Sequence, residues 1–337
     1  MARTVYFCIM HAIIPVAGFG TRLRPHTYSQ PKVLLNVAGR PILAHILDRL
    51  VASGITSVTI IVGYMGDAIE AYVRKTYPNL KSDFVEQTEL KGLGHAIWMA
   101  RERIPSDGSP LFIVLGDTIF EADLDAVFKS PTSSLGVFWV EDPRRFGIVE
   151  LKDGFATKLI EKPENPTTNL MVAGLYFFRN PALLRQCLDE LIEKNIRTRN
   201  EYQLTDALQL MVERGEKFST FELKGWYDCG KPETLLSTNR HLLKSGTQVR
   251  PETRNTVIVE PVFIAQSAQI DDSIIGPFAT IGGGARIKNS IVRDSIVGEG
   301  VRMNGVVIEQ SLVGNNSSIT RAASRINIGD CSEIELP

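Results

Sequence analysis

The sequence predicts a two-part protein, an α/β domain with a Rossmann-like mixed sheet followed by a short parallel β-helix. In the first half, short apolar runs alternate with amphipathic helical patterns. That alternation is typical of a largely parallel sheet with helices on both faces. Beyond about Lys244 the helical patterns stop, and an aliphatic residue recurs about every six positions, which indicates a parallel β-helix. We therefore assign residues 11–244 to the first domain and residues 245–337 to the second.

The strands expected in the parallel part of the sheet are short apolar runs. They are AIIPV (12–16), SVTIIV (57–62), DFVE (83–86) and LFIVL (111–115). Helices are expected between them, at 41–54, 67–75 and 94–103. The first of these is the clearest, because Pro41 opens it, Gly54 closes it and its apolar residues fall on one face. Ligands of such sheets bind beyond the carboxyl ends of the strands, which is where the loop after AIIPV lies.

Shorter strands and turns follow from about Leu135 to Phe178 and predict extra sheet laid across the same edge. Helices are expected again at 181–194 and 202–214. In the β-helix, which has room for four or five short coils, the residues expected at the corners are Ile264, Ile270, Ile275, Ile281, Ile287, Val297 and Ile319.

The composition, with 44% apolar and 22% charged residues, is that of an ordinary soluble globular protein. A formal net charge of −1 gives no general attraction to nucleic acid or to an anionic membrane, so any phosphate site must be local. Cys8, Cys187, Cys229 and Cys331 show no metal or disulfide spacing, which favours a reducing cytoplasm. No apolar run reaches the ~20 residues of a membrane helix. The first ten residues are too short for a signal peptide, and Met10 is an alternative start.

The loop after the first strand, GFGTRLRPHTYSQPK (18–32), combines bare backbone with positive charge. Gly18 and Gly20 leave backbone amides open to an anion, and Thr21 adds a hydroxyl donor. Arg22 is suited to bidentate phosphate contacts, and Lys32 is a compact charge that can follow a developing oxyanion. The loop therefore predicts a site for several phosphates.

Two familiar phosphate loops do not match this stretch. A dinucleotide-binding G-x-G-x-x-G needs a third glycine where Leu23 stands, and a P-loop needs G-K-[ST] after four spacers. A lone G-x-G is weak, so a simple strand–loop turn with solvated arginines stays open on these residues alone.

The wider sequence resembles the sugar-1-phosphate nucleotidylyltransferases, the sugar-nucleotide pyrophosphorylases. The motifs that carry the resemblance occur in the order of that family: VAGFGTRLRPHTYSQPKVLLNVAGRPIL, EQTELKGLGHAI, LGDTIF, RFGIVEL, LIEKPENP, VAGLYFF, NEYQLTDAL and GWYDCGKPETLL. They cover about residues 11–241, and the tail is similar to the left-handed β-helix of longer members. The likeness is greatest to glucose-1-phosphate thymidylyl- and uridylyltransferases. Phe19 between the glycines departs from the smaller residues of many members, while the Pro15-Val16-Ala17-Gly18 opening is similar to that of uridylyltransferases.

The resemblance implies that a sugar-1-phosphate oxygen attacks the α-phosphorus of a nucleoside triphosphate and expels pyrophosphate, by positioning and electrostatic stabilisation. Arg22 would hold the departing phosphates and Lys32 the charge around the α-phosphate. The other implied contacts are Gly18, Gly20, Thr21, Gln87 and Gly92 for the nucleotide, and Gly147, Glu161, Lys162, Val172 and Tyr176 for the sugar phosphate. Val172 and Tyr176 are equally plausible as core residues.

Two further features are expected from the same resemblance. Gln87 and Gly92 would choose the base, because a carboxamide can donate to and accept from a pyrimidine edge, so UTP or dTTP is expected over GTP. Asp117 and Asp228 would hold Mg²⁺, which suits two carboxylates supplemented by substrate phosphates and waters. His95, at the start of a helix, is interpreted as a helix-terminus histidine and given no role in the reaction.

Several alternatives remain open. They are a GDP-mannose-type pyrophosphorylase, a nucleotide-sugar-using glycosyltransferase with a D-x-D metal motif at Asp123–Asp125, and a non-catalytic subunit that kept the fold. The D-x-D match is better explained as a helix start. No acetyl transfer is expected from the β-helix, because all five histidines precede it. The β-helix is instead expected to provide homo-oligomer contacts, and nucleic acid and membrane partners are not expected.

Overall fold

The computed structural model describes residues 10–245 and 251–321. It divides into two compact units, the first made of residues 1–36 and 40–238 and the second of 37–39 and 239–337. The domain boundary expected at 244/245 stays a prediction. The expectations that concern residues 1–9, Cys8 and Cys331 lie outside the described residues.

The elements up to the unit boundary follow the predicted alternation. The strands and helices are β1 (His11–Pro15), β2 (Asn36–Val37), β3 (Arg40–Pro41), α1 (Ile42–Ala52), β4 (Ser57–Val62), α2 (Gly66–Thr76), β5 (Lys81–Glu86), α3 (Leu93–Met99), β6 (Leu111–Val114), β7 (Thr118–Glu121), α4 (Leu124–Phe128), β8 (Ser133–Trp139), β9 (Gly147–Lys152), β10 (Phe155–Glu161), β11 (Leu170–Phe178), α5 (Ala182–Glu193), α6 (Leu204–Glu213), β12 (Phe218–Glu222) and β13 (Gly225–Asp228). Short 3-10 helices lie at Thr21–Leu23, His26–Tyr28, Lys32–Leu34 and Arg101–Arg103. The last of these replaces the end of the helix expected at 94–103, since α3 stops at Met99.

The central sheet of the first unit is mixed, as predicted. Its path is β10-β9-β11-β6-β1-β4-β5, with β8 on β11 and β12 on β8. The four strands β6, β1, β4 and β5 are parallel, and β11 joins β6 antiparallel. Strands β1, β4 and β6 are buried along most of their length, as expected of parallel strands between helices, and Ile13, Ile60 and Ile113 are fully buried. The edge strand β5, KSDFVE, is only partly buried. The antiparallel strands extend the sheet laterally on the β6 side.

A two-stranded ribbon beside the main sheet brings distant residues together. In it β13 pairs antiparallel with β7, and Asp228 lies opposite Thr118. The backbone N–H of Cys229 donates to the carbonyl of Asp117 at 3.2 Å. Asp117 and Asp228, 111 positions apart in sequence, are therefore brought close together. Asp117 comes shortly after β6, and Asp228 ends β13.

Helix α7 (Pro232–Ser245) begins in the first unit and ends in the second, which continues as a parallel β-helix. Its strands are β14 (Val257–Ile258), β15 (Phe263–Ile264), β16 (Gln269–Asp271), β17 (Ile274–Ile275), β18 (Thr280–Ile281), β19 (Arg286–Lys288), β20 (Ile291–Arg293), β21 (Ile296–Val297), β22 (Arg302–Asn304), β23 (Val307–Glu309), β24 (Leu312–Val313) and β25 (Ser318–Thr320). They form three all-parallel sheets, β14-β17-β20-β23, β15-β18-β21-β24 and β16-β19-β22-β25. This arrangement is consistent with the left-handed β-helix predicted, and the described part has four coils.

The coils are shorter than a regular six-residue spacing requires. Three six-residue faces would make about 18 residues a coil, but Ile274 pairs with Ile291 and Ile291 with Val307, so successive coils lie 17 and 16 residues apart. The reason is the tightness of the corners. Asn289 and Asp294, for example, have φ of 49° and 42°, and one left-handed residue turns the chain where a longer turn would otherwise be needed. The aliphatic residues expected at the corners lie instead within the strands. Their side chains form the core, with Ile319 packing against it as a partly buried residue.

Candidate active site

The loop after β1 uses its two glycines for different reasons. Gly20 has a φ of +62°, and a Cβ there would lie 2.9 Å from Cβ of Lys32, so both backbone strain and packing exclude a side chain. A Cβ at Gly18 would meet nothing within 4 Å. Gly18 is therefore not needed by the fold of the loop, and it borders open space where a ligand can approach.

This difference gives a prediction for two matched substitutions. Gly20→Ala should lower the free energy of unfolding by about 1–2 kcal/mol, the cost of a Cβ in the left-handed region, whereas Gly18→Ala should change it by less than about 0.5 kcal/mol. Gly18→Ala should instead raise the KM for the nucleotide, because its methyl group occupies the approach to the amide. Urea denaturation and steady-state kinetics measure the two effects. A Gly20→Ala protein as stable as the parent would contradict the argument.

A cavity of about 440 Å³ opens beside this loop. All five residues expected to contact the nucleotide line it, namely Gly18, Gly20, Thr21, Gln87 and Gly92, as do Arg22, Lys32 and Asp117. Leu90 and Glu201 also line it, and the sequence analysis missed both. We call this space the loop cavity.

Gln87 and Gly92 lie on one wall of the loop cavity in a segment tied to α6. Tyr202 N–H donates to the carbonyl of Lys91 at 2.8 Å, and Gly94 N–H donates to the carbonyl of Tyr202 at 2.8 Å. Gly92 has a φ of +108°, and a Cβ there would lie 2.5 Å from the Tyr202 oxygen. Glycine is therefore required at 92 by close backbone contact, whatever the ligand.

A second cavity, of about 750 Å³, adjoins the first. Arg22, Leu115 and Asp117 line both cavities. The cationic side chains that line the second cavity are Arg22, Arg144, Arg145, Lys162, Arg199 and Lys231, and its carboxylates are Asp117 and Asp228. We call this space the cationic cavity, and its charge suits a phosphorylated ligand.

Lys32 and Asp117 form an ion pair where the two cavities meet. Lys32 Nζ donates to Oδ2 of Asp117 at 2.8 Å, and their side chains are 10% and 43% exposed. Burial acts to raise the pKa of the Asp117 carboxyl, but the Lys32 ammonium outweighs it and keeps that pKa below its usual value. Asp117 is therefore ionised at neutral pH, and it also holds Lys32 in place.

Asp228 is fixed by the loop that follows β13. Its Oδ1 accepts from the backbone N–H of Gly230 at 2.9 Å, and its Oδ2 accepts from the Thr234 hydroxyl at 3.4 Å. A Cβ at Gly230 would lie 2.7 Å from a guanidinium nitrogen of Arg22, so this glycine lets Arg22 approach. Cys229 is fully buried, and burial raises the pKa of its thiol to about 12, so it is a small core residue beside the site.

The two aspartates fit a divalent cation that also binds substrate. Both line the cationic cavity, and both offer carboxylate oxygens, the ligands that Mg²⁺ prefers. Among the described residues, no group of three or more His, Cys, Asp or Glu side chains could hold a metal ion alone. A metal at this pair would therefore complete its coordination with phosphate oxygens and waters.

The remaining residues expected at the sugar are split between the cationic cavity and the sheet behind it. Lys162 and Val172 line the cavity, whereas Gly147, Glu161 and Tyr176 are not among its lining residues. Tyr176 belongs to the core and is 5% exposed. Burial raises the pKa of its phenol, and nearby Glu161 acts in the same direction.

The Glu161 carboxylate is held in place by two neighbouring side chains. Its Oε2 accepts from the Thr205 hydroxyl at 2.7 Å, and its Oε1 lies 3.2 Å from Nζ of Lys162. A Cβ at Gly147 would lie 3.0 Å from both Glu161 Oε2 and Thr205 Oγ1. The glycine at 147 therefore makes room for the Glu161–Thr205 contact.

Several cations of the cationic cavity were missed from sequence. Arg199 follows α5 and donates to the carbonyl of Lys162 at 2.8 Å, and Lys231 begins the segment leading to α7. Arg144 is held by Asp142 at 2.7 Å. The signal in the sequence was the placement of RTRNEY, EDPRR and CGKP beside motifs already singled out, but a lone arginine or lysine next to a motif is usually a solvated charge.

Comparison with known proteins identifies the family. The model of the family described as "Nucleotidyl transferase" matches residues 11–245. The chain belongs to the nucleotidyl transferase family. It is 36% identical to the "Bifunctional protein GlmU" of Methanocaldococcus jannaschii over 77% of this chain, and spans 61% of that relative's length. It is also 31% identical to a glucose-1-phosphate thymidylyltransferase of Streptomyces antibioticus, over 97% of this chain and 99% of that one.

A solved structure of this family shows the same catalytic fold. A UDP-glucose pyrophosphorylase complexed with UDP-glucose matches with a TM-score of 0.61 and 25% identity, covering 71% of this chain and all of that one. The substrates of nucleotidyl transferases of this kind are nucleoside triphosphates and sugar 1-phosphates, and such enzymes generally use divalent metal ions. Within residues 10–245 and 251–321, no helix is both long and apolar enough to span a membrane.

Proposed function

We propose that this nucleotidyl transferase moves a uridylyl or thymidylyl group from UTP or dTTP to a sugar 1-phosphate, with glucose 1-phosphate as the expected acceptor. The products are a nucleotide sugar and pyrophosphate. The observation that carries the proposal is the junction of the two cavities. A cavity lined by bare amides and the expected base contacts meets a cationic cavity at Arg22 and Asp117, so two phosphorylated substrates can meet there.

The first task of the site is to cancel negative charge between two anions. Arg22 lines both cavities, and in our proposal it binds the β- and γ-phosphates that leave. Lys32 is nearly buried and is proposed to stabilise charge on the α-phosphate. Lys162 and Arg199 lie together in the cationic cavity and are proposed to bind the phosphate of the sugar. Fixed cations of this kind need no reorganisation as the reaction proceeds.

The proposed metal site is Asp117 with Asp228, and Mg²⁺ is the proposed ion. When bound, such an ion acts as a Lewis acid that offsets repulsion between phosphate oxygens. The chain prepares for it by holding Asp228 through Gly230 and Thr234. Asp117 is ionised and paired with Lys32, so this carboxylate is available without first losing a proton.

The base and the sugar are proposed to be selected by residues at the two cavities. Gln87 lines the loop cavity, where its carboxamide can meet a pyrimidine edge. Glu161, oriented by Thr205, is proposed to bind sugar hydroxyls. Gly147 leaves room for the Glu161 carboxylate, Tyr176 is buried close enough for that carboxylate to raise its pKa, and Val172 lines the cavity directly.

The structure gives the D-x-D match, on which the glycosyltransferase alternative depended, another explanation. Oδ1 of Asp123 accepts from the backbone N–H of Ala126 at 3.1 Å, which makes Asp123 the N-cap of α4. The D-x-D match is therefore a helix start, as the sequence analysis interpreted it. A GDP-mannose-type activity stays an open alternative for the substrate experiment. Homo-oligomer contacts through the β-helix and the absence of acetyl transfer stay predictions, which solution measurements test.

The test is pyrophosphate release from a matrix of substrates. UTP, dTTP, GTP and ATP are each offered with glucose-, galactose-, mannose- and N-acetylglucosamine-1-phosphate. We expect the highest kcat/KM with UTP or dTTP and glucose 1-phosphate, and no release without the sugar phosphate. Preference for GTP with mannose 1-phosphate would replace the base and sugar assignment, and no release with any pair would overturn the proposed function.

A further inference from the structure

Gln87 and His95 form a buried polar pair at the wall of the loop cavity. Nε2 of Gln87 lies 3.3 Å from Nδ1 of His95, and the two residues are 6% and 7% exposed. A carboxamide nitrogen can only donate, so Nδ1 of His95 has to accept. In this orientation of the carboxamide, the contact matches the neutral imidazole that carries its proton on Nε2.

The surroundings of His95 favour that neutral ring. Burial lowers the pKa of His95, and the positive charge of Lys91 acts in the same direction, as does that of Arg197. Glu89 opposes them through its charge and through its backbone carbonyl, which accepts a hydrogen bond from the His95 ring. The net effect is a pKa below the usual value, so the ring is neutral at pH 7 and above.

The ring of His95 is also fixed in position. It stacks on Trp98, with centroids 5.8 Å apart, and on Tyr202, with centroids 6.2 Å apart. Trp98 is anchored in turn, because its indole N–H donates to Asp189 at 2.9 Å. His95 thus presents a lone pair to Gln87 from a rigid support.

A fixed lone pair decides which way the Gln87 carboxamide faces. With Nε2 turned to His95, Oε1 and the second amide hydrogen are left for the cavity. Uracil and thymine offer an N3–H donor beside a carbonyl acceptor, which this arrangement matches. Cytosine offers an N3 acceptor beside an amino donor, the reverse pattern. A glutamine whose carboxamide could rotate by about half a turn would present the pattern that cytosine needs. In Gln87 that rotation would place Oε1 against the lone pair of His95 Nδ1.

We propose that His95 is a positioning residue for base selection, which holds the Gln87 carboxamide so that the loop cavity accepts uracil or thymine and rejects cytosine. This inference rests on the proposed function, since it assumes that Gln87 meets the base. It assigns no contact between His95 and the substrate. The structure thereby gives a role to a histidine that the sequence analysis set aside.

The decisive measurement is the ratio of kcat/KM for UTP to that for CTP. His95→Phe keeps a flat ring for Trp98 and Tyr202 but has no acceptor, and it should lower the ratio about tenfold or more, the scale of one lost hydrogen bond in a closed site. His95→Gln can still accept through its own Oε1 and should retain most of the ratio. An unchanged ratio in His95→Phe would overturn the inference.

The pH dependence supplies a readout that a merely structural role would not move. UTP and CTP carry the same triphosphate, so its titration cancels in the ratio. As the pH falls through the lowered pKa of His95, Nδ1 becomes a donor, Gln87 turns over and the ratio should fall. His95→Gln should show no such fall. A flat wild-type ratio across that range, or a fall that persists in His95→Gln, would count against the role of His95.

Two further measurements separate the inference from the function on which it rests. Gln87→Ala should abolish most discrimination between UTP and CTP, and calorimetry of nucleotide binding reports this without turnover. If Gln87→Ala binds both nucleotides as the wild type does, the base assignment fails. If Gln87→Ala loses discrimination but His95→Phe does not, only the positioning role fails. Should His95→Phe not fold, imidazole ¹⁵N spectra of the wild type decide, because a proton on Nδ1 at pH 8 would refute the proposal.

Discussion

Asp117→Asn is expected to lower kcat by roughly 100-fold or more while the protein stays folded. The substitution keeps the shape of the side chain but removes the charge that would bind a divalent cation, and a metal site contributes several kcal/mol to the transition state, where each 1.36 kcal/mol is tenfold in rate. Asp228→Asn is expected to behave similarly. Its loop should be retained, because Gly230 N–H can still donate to the amide oxygen in the place of Oδ1, while the amide nitrogen in the place of Oδ2 can donate to the Thr234 hydroxyl oxygen. EDTA should abolish activity in the wild type, and Mg²⁺ should restore it.

Asp123→Asn is the matched control. Asparagine caps a helix as well as aspartate does, so α4 should be retained and kcat unchanged, whereas a D-x-D metal site would lose activity. Kinetics at low and high Mg²⁺, with circular dichroism for the fold, measure all three variants. Full activity of Asp117→Asn or Asp228→Asn at low Mg²⁺ would exclude the proposed metal site.

Lys32→Met is expected to lower kcat by about 100-fold or more, the cost of losing one preorganised donor to a developing charge. The nearly buried methionine side chain replaces the stem of the lysine but leaves Asp117 without its ion-pair partner. Because the two residues touch, their effects should not add. The loss in the Lys32→Met, Asp117→Asn double variant is expected to be smaller than the product of the single losses.

Arg24→Met is the control for loop charge. Arg24 belongs to the same loop and is exposed, and its guanidinium lies 5.0 Å from the centre of the Tyr28 ring. It is not among the residues lining the loop cavity or the cationic cavity. Its loss should leave kcat within about twofold of the wild type. A loss as large as that of Lys32→Met would mean that general loop charge, and not the position of Lys32, supports the reaction.

The elements that sequence analysis predicted well are those with a strong local signal. Helix α1 lies where Pro41 and Gly54 frame one apolar face, and β4 coincides with SVTIIV. The β-helix was visible because one physical requirement, an inward aliphatic side chain, repeats along the chain. Its coil length was not, since the left-handed corners at Asn289 and Asp294 use residues that are common in any turn.

The site was predictable where a motif carries more than one unusual requirement. Gly18, Gly20, Arg22 and Lys32 stand together in sequence, and the structure places all four on the loop cavity. Contacts that depend on long-range packing were not visible in the same way. The Gln87–His95 pair forms only because α3 places the His95 ring beside the residue that follows β5. The reason for a glycine at 230 is the Arg22 guanidinium, which lies beside it only in the folded chain.

The cationic cavity concentrates positive charge on a chain whose formal net charge is −1. Screening at physiological salt limits such a field to about 8 Å. In the proposed reaction these side chains would therefore act on a sugar phosphate at the mouth of the cavity and would raise its rate of capture. The reaction only redistributes phosphate groups between its partners. A field that attracts the substrates therefore attracts the products as well, and fast entry is accompanied by slow departure. Added salt should therefore slow the binding of substrates and speed the release of products together. The equilibrium constant of the reaction does not depend on this field, because the enzyme is unchanged at the end of each turnover.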